Sequence, residues 1–200
     1  MIYENKNIFF TSDFHVSHDN ILKFDGRPFK NVNEMNEALI QNWNSVVGVD
    51  DIVYYLGDIS WGNEATTKWF VSQLQGKIHF IMGNHDRMKK IASLNRFESI
   101  HEYGTEISIK DSDANRGYQQ IIMSHYAILN WNKAHYGSWM IHGHSHGSLV
   151  KNPEFNWYYK RKVIDAGCNL WDYTPISYTQ LKEIMKNKEV VAVDHHRGEK

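Results

Sequence analysis

Three short apolar runs in the first half of the chain each end just before an acidic or amide side chain. The runs are Ile8–Thr11, Asp51–Leu56 and Lys77–Met82, and the polar residues that follow them are Asp13, Asp58 and Asn84. Each run has the length and apolar content of a buried strand. Helical periodicity fills the segments between the strands, Val32–Val47 (with Asn31 as its cap) and Glu64–Leu74. Alternating strands and helices predict a parallel sheet, whose carboxyl edge would gather the three polar side chains.

The second half of the chain has a different pattern. Four more strand candidates are separated mainly by loops: Glu106–Ile109, Gln119–Met123, Trp139–Ile141 and Lys162–Asp165. This spacing predicts a second sheet that is more antiparallel in character. A late helix is predicted over Ser177–Lys186, with Ser177 as its cap. The expected fold class is α/β, close to an α+β sandwich, with two mixed β-sheets flanked by helices.

Composition predicts a single domain over residues 1–200. No repeat, low-complexity tract or long linker divides the chain, and the polar tail 194–200, with its His195-His196 pair, is expected to fray. The formal net charge of -1 points to neither nucleic acid nor an anionic surface as a partner. With one cysteine, no signal-peptide pattern and no long apolar stretch, a cytoplasmic protein without a membrane segment is the expectation.

Five polar motifs recur in a fixed order along the chain: Asp13-Phe14-His15, Gly57-Asp58, Gly83-Asn84-His85-Asp86, Ser124-His125 and Gly143-His144-Ser145-His146. Each motif is common alone. Together they supply carboxylate and amide oxygens and imidazole nitrogens, most of them directly after predicted strands. Mixed oxygen and nitrogen donors suit Mn, Fe, Zn or Ni and suit Mg or Ca poorly. The order and placement therefore predict a metal site at the carboxyl ends of strands.

This set of motifs resembles the calcineurin-like metallophosphoesterase superfamily. The resemblance is closest to small, single-domain bacterial and phage phosphoesterases, whose further motifs are matched by Thr11–His18, Gly26-Arg27-Pro28-Phe29 and Asn42-Trp43-Asn44. One departure is Asn169, at a position where that branch commonly has aspartate. The resemblance leaves the metal site intact, but the polar surroundings of the site are expected to differ at Asn169.

The resemblance implies a cage for two divalent transition-metal ions, Mn above all, with Fe, Zn or Ni as alternatives. Asp58 would bridge the two ions. The first ion would also be held by Asp13, His15 and His146, and the second by Asn84, His125 and His144. The implied activity is hydrolysis of phosphodiesters or small organic phosphates by attack of a metal-bridging hydroxide.

The resemblance also assigns roles beside the cage. His85 would protonate the leaving group while Asp86 orients its ring, or His85 would merely anchor phosphate. His18 and Arg27 would contact the substrate, with ordinary surface residues as the equal alternative. His79, His101, His135 and His142 are expected to be structural, and Cys168 to be a packed thiol.

Other functions stay open on the sequence alone. A nucleotide phosphohydrolase or a nuclease would use the same cage, and nucleic acid is a partner that the charge balance does not favour. A non-catalytic metal-binding scaffold is disfavoured because every ligand position and His85 are filled. Trp61, Trp131 and Tyr136 would stack a base or simply pack. Substrate, native metal pair and oligomeric state are not determined by these motifs.

Overall fold

Two five-stranded sheets form the framework of the protein in a computed structural model that describes residues 1–4 and 6–194. The tail residues 195–200, predicted to fray, lie outside the described part. The first sheet has the order β10-β2-β3-β4-β5. Its strands are β2 (Ile8–Thr11), β3 (Ile52–Tyr55), β4 (Lys77–Ile81), β5 (Phe97–His101) and the antiparallel edge strand β10 (Ile176–Ser177).

The second sheet has the order β1-β6-β7-β8-β9. Its strands are β1 (Ile2–Tyr3), β6 (Gly104–Lys110), β7 (Tyr118–Ser124), β8 (Trp139–His142) and β9 (Val163–Asp165). The prediction that this sheet is more antiparallel in character than the first is wrong. Among the described strands each sheet has one antiparallel pair, β6–β7 here and β10–β2 in the first sheet, while β1–β6, β7–β8 and β8–β9 are parallel. The segments that looked like simple loops are crossovers, and parallel pairing requires connections of that length.

The helices have the bounds α1 (Ile21–Phe24), α2 (Val32–Val46), α3 (Glu64–Ser72), α4 (Met88–Ser93), α5 (Ser148–Lys151), α6 (Asn156–Lys160) and α7 (Tyr178–Lys186). The predicted caps are confirmed. The Asn31 side chain accepts hydrogen bonds from the Asn33 and Glu34 amides, and Ser177 forms a capping box with Gln180. The short helices α1, α4, α5 and α6 had no clear periodicity because they span little more than a turn each.

Alternating side chains of β2 and β3 separate two apolar cores. Phe9 and Val53 face a core shared with α2 and α3, whereas Phe10 and Tyr54 face a core shared with the second sheet. Burial on both faces explains why these strands read as continuous apolar runs. The expected class is confirmed: an α/β sandwich of two mixed sheets flanked by helices.

Candidate metal centre

All of the predicted ligands lie at carboxyl ends of strands. Asp13, Asp58 and Asn84 follow β2, β3 and β4 of the first sheet, and His125 and His144 follow β7 and β8 of the second. The edges of the two sheets therefore meet at one place. Parallel pairing within each sheet is what brings these strand ends to a common edge.

Five of these loop residues have left-handed backbone: Asp13 (φ 61°), His15 (φ 50°), Asp58 (φ 59°), His144 (φ 66°) and His146 (φ 46°). For residues other than glycine this region costs about 1–2 kcal/mol each. Such conformations persist only where the surrounding structure imposes them, and they concentrate at functional sites. The strain indicates that the loops are shaped to aim side chains rather than to minimise local energy.

Two compact groups of ligand-type atoms result. Asp13, His15 and His146 form one group. In each group, the possible ligand atoms, one imidazole nitrogen or carboxylate oxygen from each residue, all lie within 4.8 Å of one another. The other group comprises Asp58, His125 and His144. Asn84 joins this second group, since its Oδ1 lies 3.0 Å from His125 Nε2. The structure thus brings together all seven predicted ligands.

Asp58 lies between the two groups. Its Oδ2 is 3.4 Å from His125 Nε2 and 3.8 Å from His15 Nε2. Its other oxygen, Oδ1, accepts a hydrogen bond from the His85 amide at 2.8 Å. One carboxylate oxygen is therefore fixed by the backbone, while the other faces imidazoles from both groups.

The two carboxylate oxygens of Asp13 also differ in their surroundings. Its Oδ2 accepts hydrogen bonds from Ser12 Oγ (2.7 Å) and from the His144 amide (2.9 Å). Its Oδ1 is buried without a hydrogen-bond partner and lies 3.7 Å from His146 Nε2. Buried polar atoms are rarely left unpaired in proteins. An orphaned carboxylate oxygen beside converging imidazole nitrogens fits a divalent cation.

Hydrogen bonds fix the orientation of two imidazoles. His125 Nδ1 lies 2.7 Å from the Leu56 carbonyl oxygen. His146 Nδ1 lies 2.8 Å from Asp25 Oδ2. When Nδ1 donates to these acceptors, a deprotonated Nε2 would offer its lone pair to an ion at the site, as metal-ligating histidines require. Sequence reasoning missed Asp25. The available signal was its place directly before the Gly26-Arg27-Pro28-Phe29 motif that carries part of the family resemblance.

Two glycines are required by close approach. A Cβ on Gly83 would lie 2.2 Å from Asp58 Oδ1, and one on Gly143 would lie 2.5 Å from Ser12 Oγ and 2.8 Å from Asp13 Oδ2. Any side chain at these positions would displace a candidate ligand carboxylate. Glycine at these two positions therefore lets the backbone approach the candidate ligands closely.

His85 lies beside the cage, outside the two groups. Its Nε2 is 3.9 Å from Asp58 Oδ2, and its side chain is 39% exposed. Asp86, however, does not orient that ring. Its carboxylate accepts hydrogen bonds from the backbone amides of Asp58 (2.7 Å), Gly83 (2.8 Å) and Ile59 (3.3 Å). Asp86 therefore ties the loops after β3 and β4 together, which is a different task from the predicted one.

Arg27 is also placed differently from the prediction of a substrate contact. It is 4% exposed, and its guanidinium donates to the carbonyls of Phe14 (2.7 Å) and Asp13 (2.8 Å) and to Asp25 Oδ2 (3.0 Å). These bonds fix the strained loop after β2 and the carboxylate that orients His146. Arg27 therefore holds the backbone and the carboxylate that position the candidate ligands, and its donors are used in these bonds rather than in a substrate contact.

His18 lies beside the first group of candidate ligands. Its ring stacks on Trp61 with centroids 4.5 Å apart and lies 5.8 Å from the His15 ring. Its substrate contact stays a prediction. By contrast, His142 is buried and pairs with the Gly143 carbonyl and Tyr159, which confirms a structural role. Cys168 is a buried thiol whose pKa burial raises to about 12, in agreement with packing rather than nucleophilicity.

The loop after β8 is supported by the last residue of β9, Asp165, and by Asn169 in the segment that follows β9. Asp165 accepts hydrogen bonds from the Gly147 and Gly167 amides at 3.0 and 2.8 Å. Asn169 donates from Nδ2 to the His146 carbonyl at 2.8 Å. The amide of Asn169 thus provides a donor that an aspartate could not, and the carboxylate at Asp165 supplies negative charge nearby.

Burial and neighbouring charges shift the pKa values of the site in both directions. Burial raises the pKa of Asp13 to about 7 and lowers that of His15 to about 3. Burial would also lower the pKa of His125, but its hydrogen bond to Asp58 and the charges of Asp13 and Asp58 prevail and raise it to about 9. Without ions, the site at neutral pH therefore keeps a proton on His125 and part of one on Asp13.

We expect Mn²⁺ binding to release these protons, because a metal ligand must be deprotonated. Affinity should rise with pH by up to about tenfold per unit for each proton displaced. The rise should end near the His125 pKa of about 9. Calorimetry in buffers of different ionisation heat counts the released protons. An Mn²⁺ affinity that does not change up to the His125 pKa of about 9 would contradict the pKa shifts of Asp13 and His125.

The sandwich and its two histidine–aspartate groups define a metal-binding α/β protein, and comparisons identify its family. A family model described as calcineurin-like phosphoesterase matches residues 6–198. The chain is 34% identical to an uncharacterized protein of Methanocaldococcus jannaschii, covering 93% of this chain and 95% of that protein. It is 26% identical to the Gene 66 protein of Mycobacterium phage L5, covering 82% of this chain and 87% of that protein. The chain belongs to the calcineurin-like phosphoesterase family.

A solved structure agrees with this assignment. A protein of unknown function from Aquifex aeolicus has a TM-score of 0.68 and 26% identity, and the match covers 90% of this chain and 100% of that one. Family membership makes the protein a metal-dependent phosphoesterase in the general sense, with divalent metal ions as the implied cofactors. Among the described residues, no helix has the length and apolar character needed to span a membrane.

Proposed function

We propose that the protein hydrolyses phosphodiesters or small organic phosphates with a pair of divalent transition-metal ions. The observation that carries this proposal is the position of Asp58 Oδ2, which lies 3.4 Å from His125 Nε2 and 3.8 Å from His15 Nε2. A carboxylate oxygen shared by two compact ligand groups is the arrangement expected of a bridging ligand. It supports two ions more directly than one.

The seven candidate ligands would hold the ions in two sets joined by Asp58. Asp13, His15 and His146 would complete the first set, and Asn84, His125 and His144 the second. When bound, such a pair supplies Lewis-acid stabilisation of phosphoryl oxygens and activates water as the nucleophile. The mixed donors suit Mn, Fe, Zn or Ni, and Mn is the ion we propose first.

His85 would carry the proton in the reaction. Its Nε2 lies near the bridging carboxylate yet remains partly exposed, so it can reach a substrate oxygen without being a ligand. Donation of a proton from Nε2 to the leaving oxygen avoids release of an unstable alkoxide. The His85 amide, bonded to Asp58 Oδ1, fixes the distance between this acid and the cage.

A substrate panel tests the proposal. Phosphomonoesters, linear and cyclic diesters and single-stranded oligonucleotides should be assayed with Mn²⁺, Fe²⁺, Zn²⁺, Ni²⁺, Mg²⁺ and Ca²⁺ in turn. The expected result is turnover of one or more esters that is strong with the transition metals, absent in chelator and weak with Mg²⁺ or Ca²⁺. No turnover of any ester with any metal would contradict the proposed function.

A further inference from the structure

One large aromatic side chain stands exposed at the edge of the candidate metal centre. Trp61 is 52% exposed, and its ring centroid lies 4.7 Å from that of His85. It also stacks on the ring of His18 at 4.5 Å, with only 11° between the planes. A large apolar side chain is therefore exposed to solvent directly beside the proposed acid, His85.

The loop that carries Trp61 is held firmly. The Trp61 amide donates to the Val16 carbonyl at 2.9 Å, and Lys90 Nζ donates to the Gly62 carbonyl at 2.6 Å. Thr67 Oγ1 donates to Ser60 Oγ at 2.8 Å, which fastens the same loop to α3. The exposure of the ring is therefore a property of a well-bonded loop. Such a fixed platform loses little conformational freedom when a ligand stacks on it.

A second exposed ring stands at the other ligand group. Tyr126 is 51% exposed, and its ring centroid lies 4.5 Å from that of His144 and 5.1 Å from that of His125. Trp61 adjoins His85 and His18 on the side of the first group, whereas Tyr126 adjoins the second group. Each of the two ligand groups therefore has an exposed aromatic ring beside it.

The other aromatic residues named from the sequence do not share this position. Trp131 is buried, with its indole nitrogen bonded to the Ser138 carbonyl. Tyr136 is exposed, but it lines a cavity of about 330 Å³ with Ile2 and Arg116, and no candidate metal ligand lines that cavity. Only Trp61, of these three, contacts the proposed catalytic residue.

We propose that Trp61 is a stacking platform for a planar ring in the substrate's leaving group, and that the substrate class is a nucleotide-type phosphodiester with a base on each side of the phosphate. This inference rests on the proposed function, which identifies His85 as the acid and so assigns the leaving group to the Trp61 side. Stacking of a base on an aromatic ring is sequence-tolerant, and each such contact adds substantially to affinity. Tyr126 receives the base of the retained half.

Equilibrium binding tests the inference without turnover. The probe is a dinucleoside phosphonate in which a methylene group replaces the leaving oxygen, titrated calorimetrically into the Mn²⁺-loaded full chain. Trp61→Ala should weaken binding by on the order of 10- to 100-fold, while Trp61→Phe keeps the affinity within about threefold. Tyr126→Ala should also weaken binding. Ethyl propylphosphonate, a monoanion like the probe but without bases, should bind equally to all variants.

Trp69→Ala is the matched control. Trp69 is 50% exposed, close to the value for Trp61, but it lies on α3, and among the described residues its ring contacts none of the site rings. Alanine is well tolerated in a helix, and this variant should bind like the parent. Equal affinity of parent and Trp61→Ala for the dinucleoside probe, or an equal loss in Trp69→Ala, would overturn the inference.

The two proposals fail in different ways. If the enzyme turns over simple alkyl and aryl diesters but the dinucleoside probe shows no dependence on Trp61, the proposed function stands and the platform is refuted. If no ester is hydrolysed while binding of the probe depends on Trp61 and on the presence of bases, Trp61 binds a base, but the hydrolytic function and the assignment of that base to a leaving group are both refuted.

Discussion

Replacement of Asp58 by asparagine should lower kcat for a diester substrate by more than about 10²-fold, at least the loss seen when one preorganised electrostatic group is removed from an active site. The reason is that Asp58 Oδ2 is the atom placed between the two ligand groups. A neutral amide cannot offset the charge of two cations. The measurement is steady-state turnover of a generic aryl phosphodiester with saturating Mn²⁺.

Asparagine is the appropriate replacement because residue 58 has a left-handed backbone with φ of 59°. Asparagine tolerates this region better than most residues, so the loop should keep its shape. Asp50→Asn is the matched control, since Asp50 is an exposed acid just before β3, at the opposite end of that strand. Thermal unfolding in chelator should be similar for both variants. Full activity in Asp58→Asn would rule out a bridging role.

Replacement of His85 by alanine should have the second largest effect, and the effect should depend on the leaving group. With a poor alkoxide leaving group the loss should be about 10²–10⁴-fold, the usual contribution of general acid catalysis. With a good leaving group such as p-nitrophenolate, little protonation is required and the loss should be small. The measurement is kcat across a series of diesters with graded leaving-group pKa.

Two outcomes separate the roles that the sequence left open for His85. A steeper dependence on leaving-group pKa in the variant, with unchanged metal content, supports proton donation. An equal loss across the series, mainly in KM, would mean that His85 only anchors phosphate. Metal content is informative here because the His85 ring lies outside both ligand groups, although its Nε2 is 3.9 Å from Asp58 Oδ2.

Much of the fold was predictable because its signals are local. The strands β2, β3 and β4 are apolar on both faces, and the caps at Asn31 and Ser177 depend on residues within one helical turn. The direction of strands in the second sheet was not predictable in this way. It depends on crossovers through short helices such as α5 and α6, which have too few residues to show a period.

The candidate ligands were predictable because strand ends and residue chemistry coincide, whereas their supports were not. Asp86 follows His85 in the sequence, yet its carboxylate accepts hydrogen bonds from the Gly83 amide in its own loop and from the Asp58 amide after β3. Arg27 looked like a phosphate contact, but its partners are carbonyls at Phe14 and Asp13. Asp25 meets His146 only through the tertiary fold. Side-chain direction at such positions is set by contacts between distant segments.

In the proposed centre, one chain holds two metal ions in a cage bridged by Asp58. Metal analysis of protein purified without chelator and saturated with Mn²⁺ tests it most directly, with Asp50→Asn as the control. We expect about two Mn²⁺ ions per chain in the parent protein and in the control, as in two-metal phosphoesterases, and fewer in Asp58→Asn. A stoichiometry of one or none in the parent protein would contradict the account.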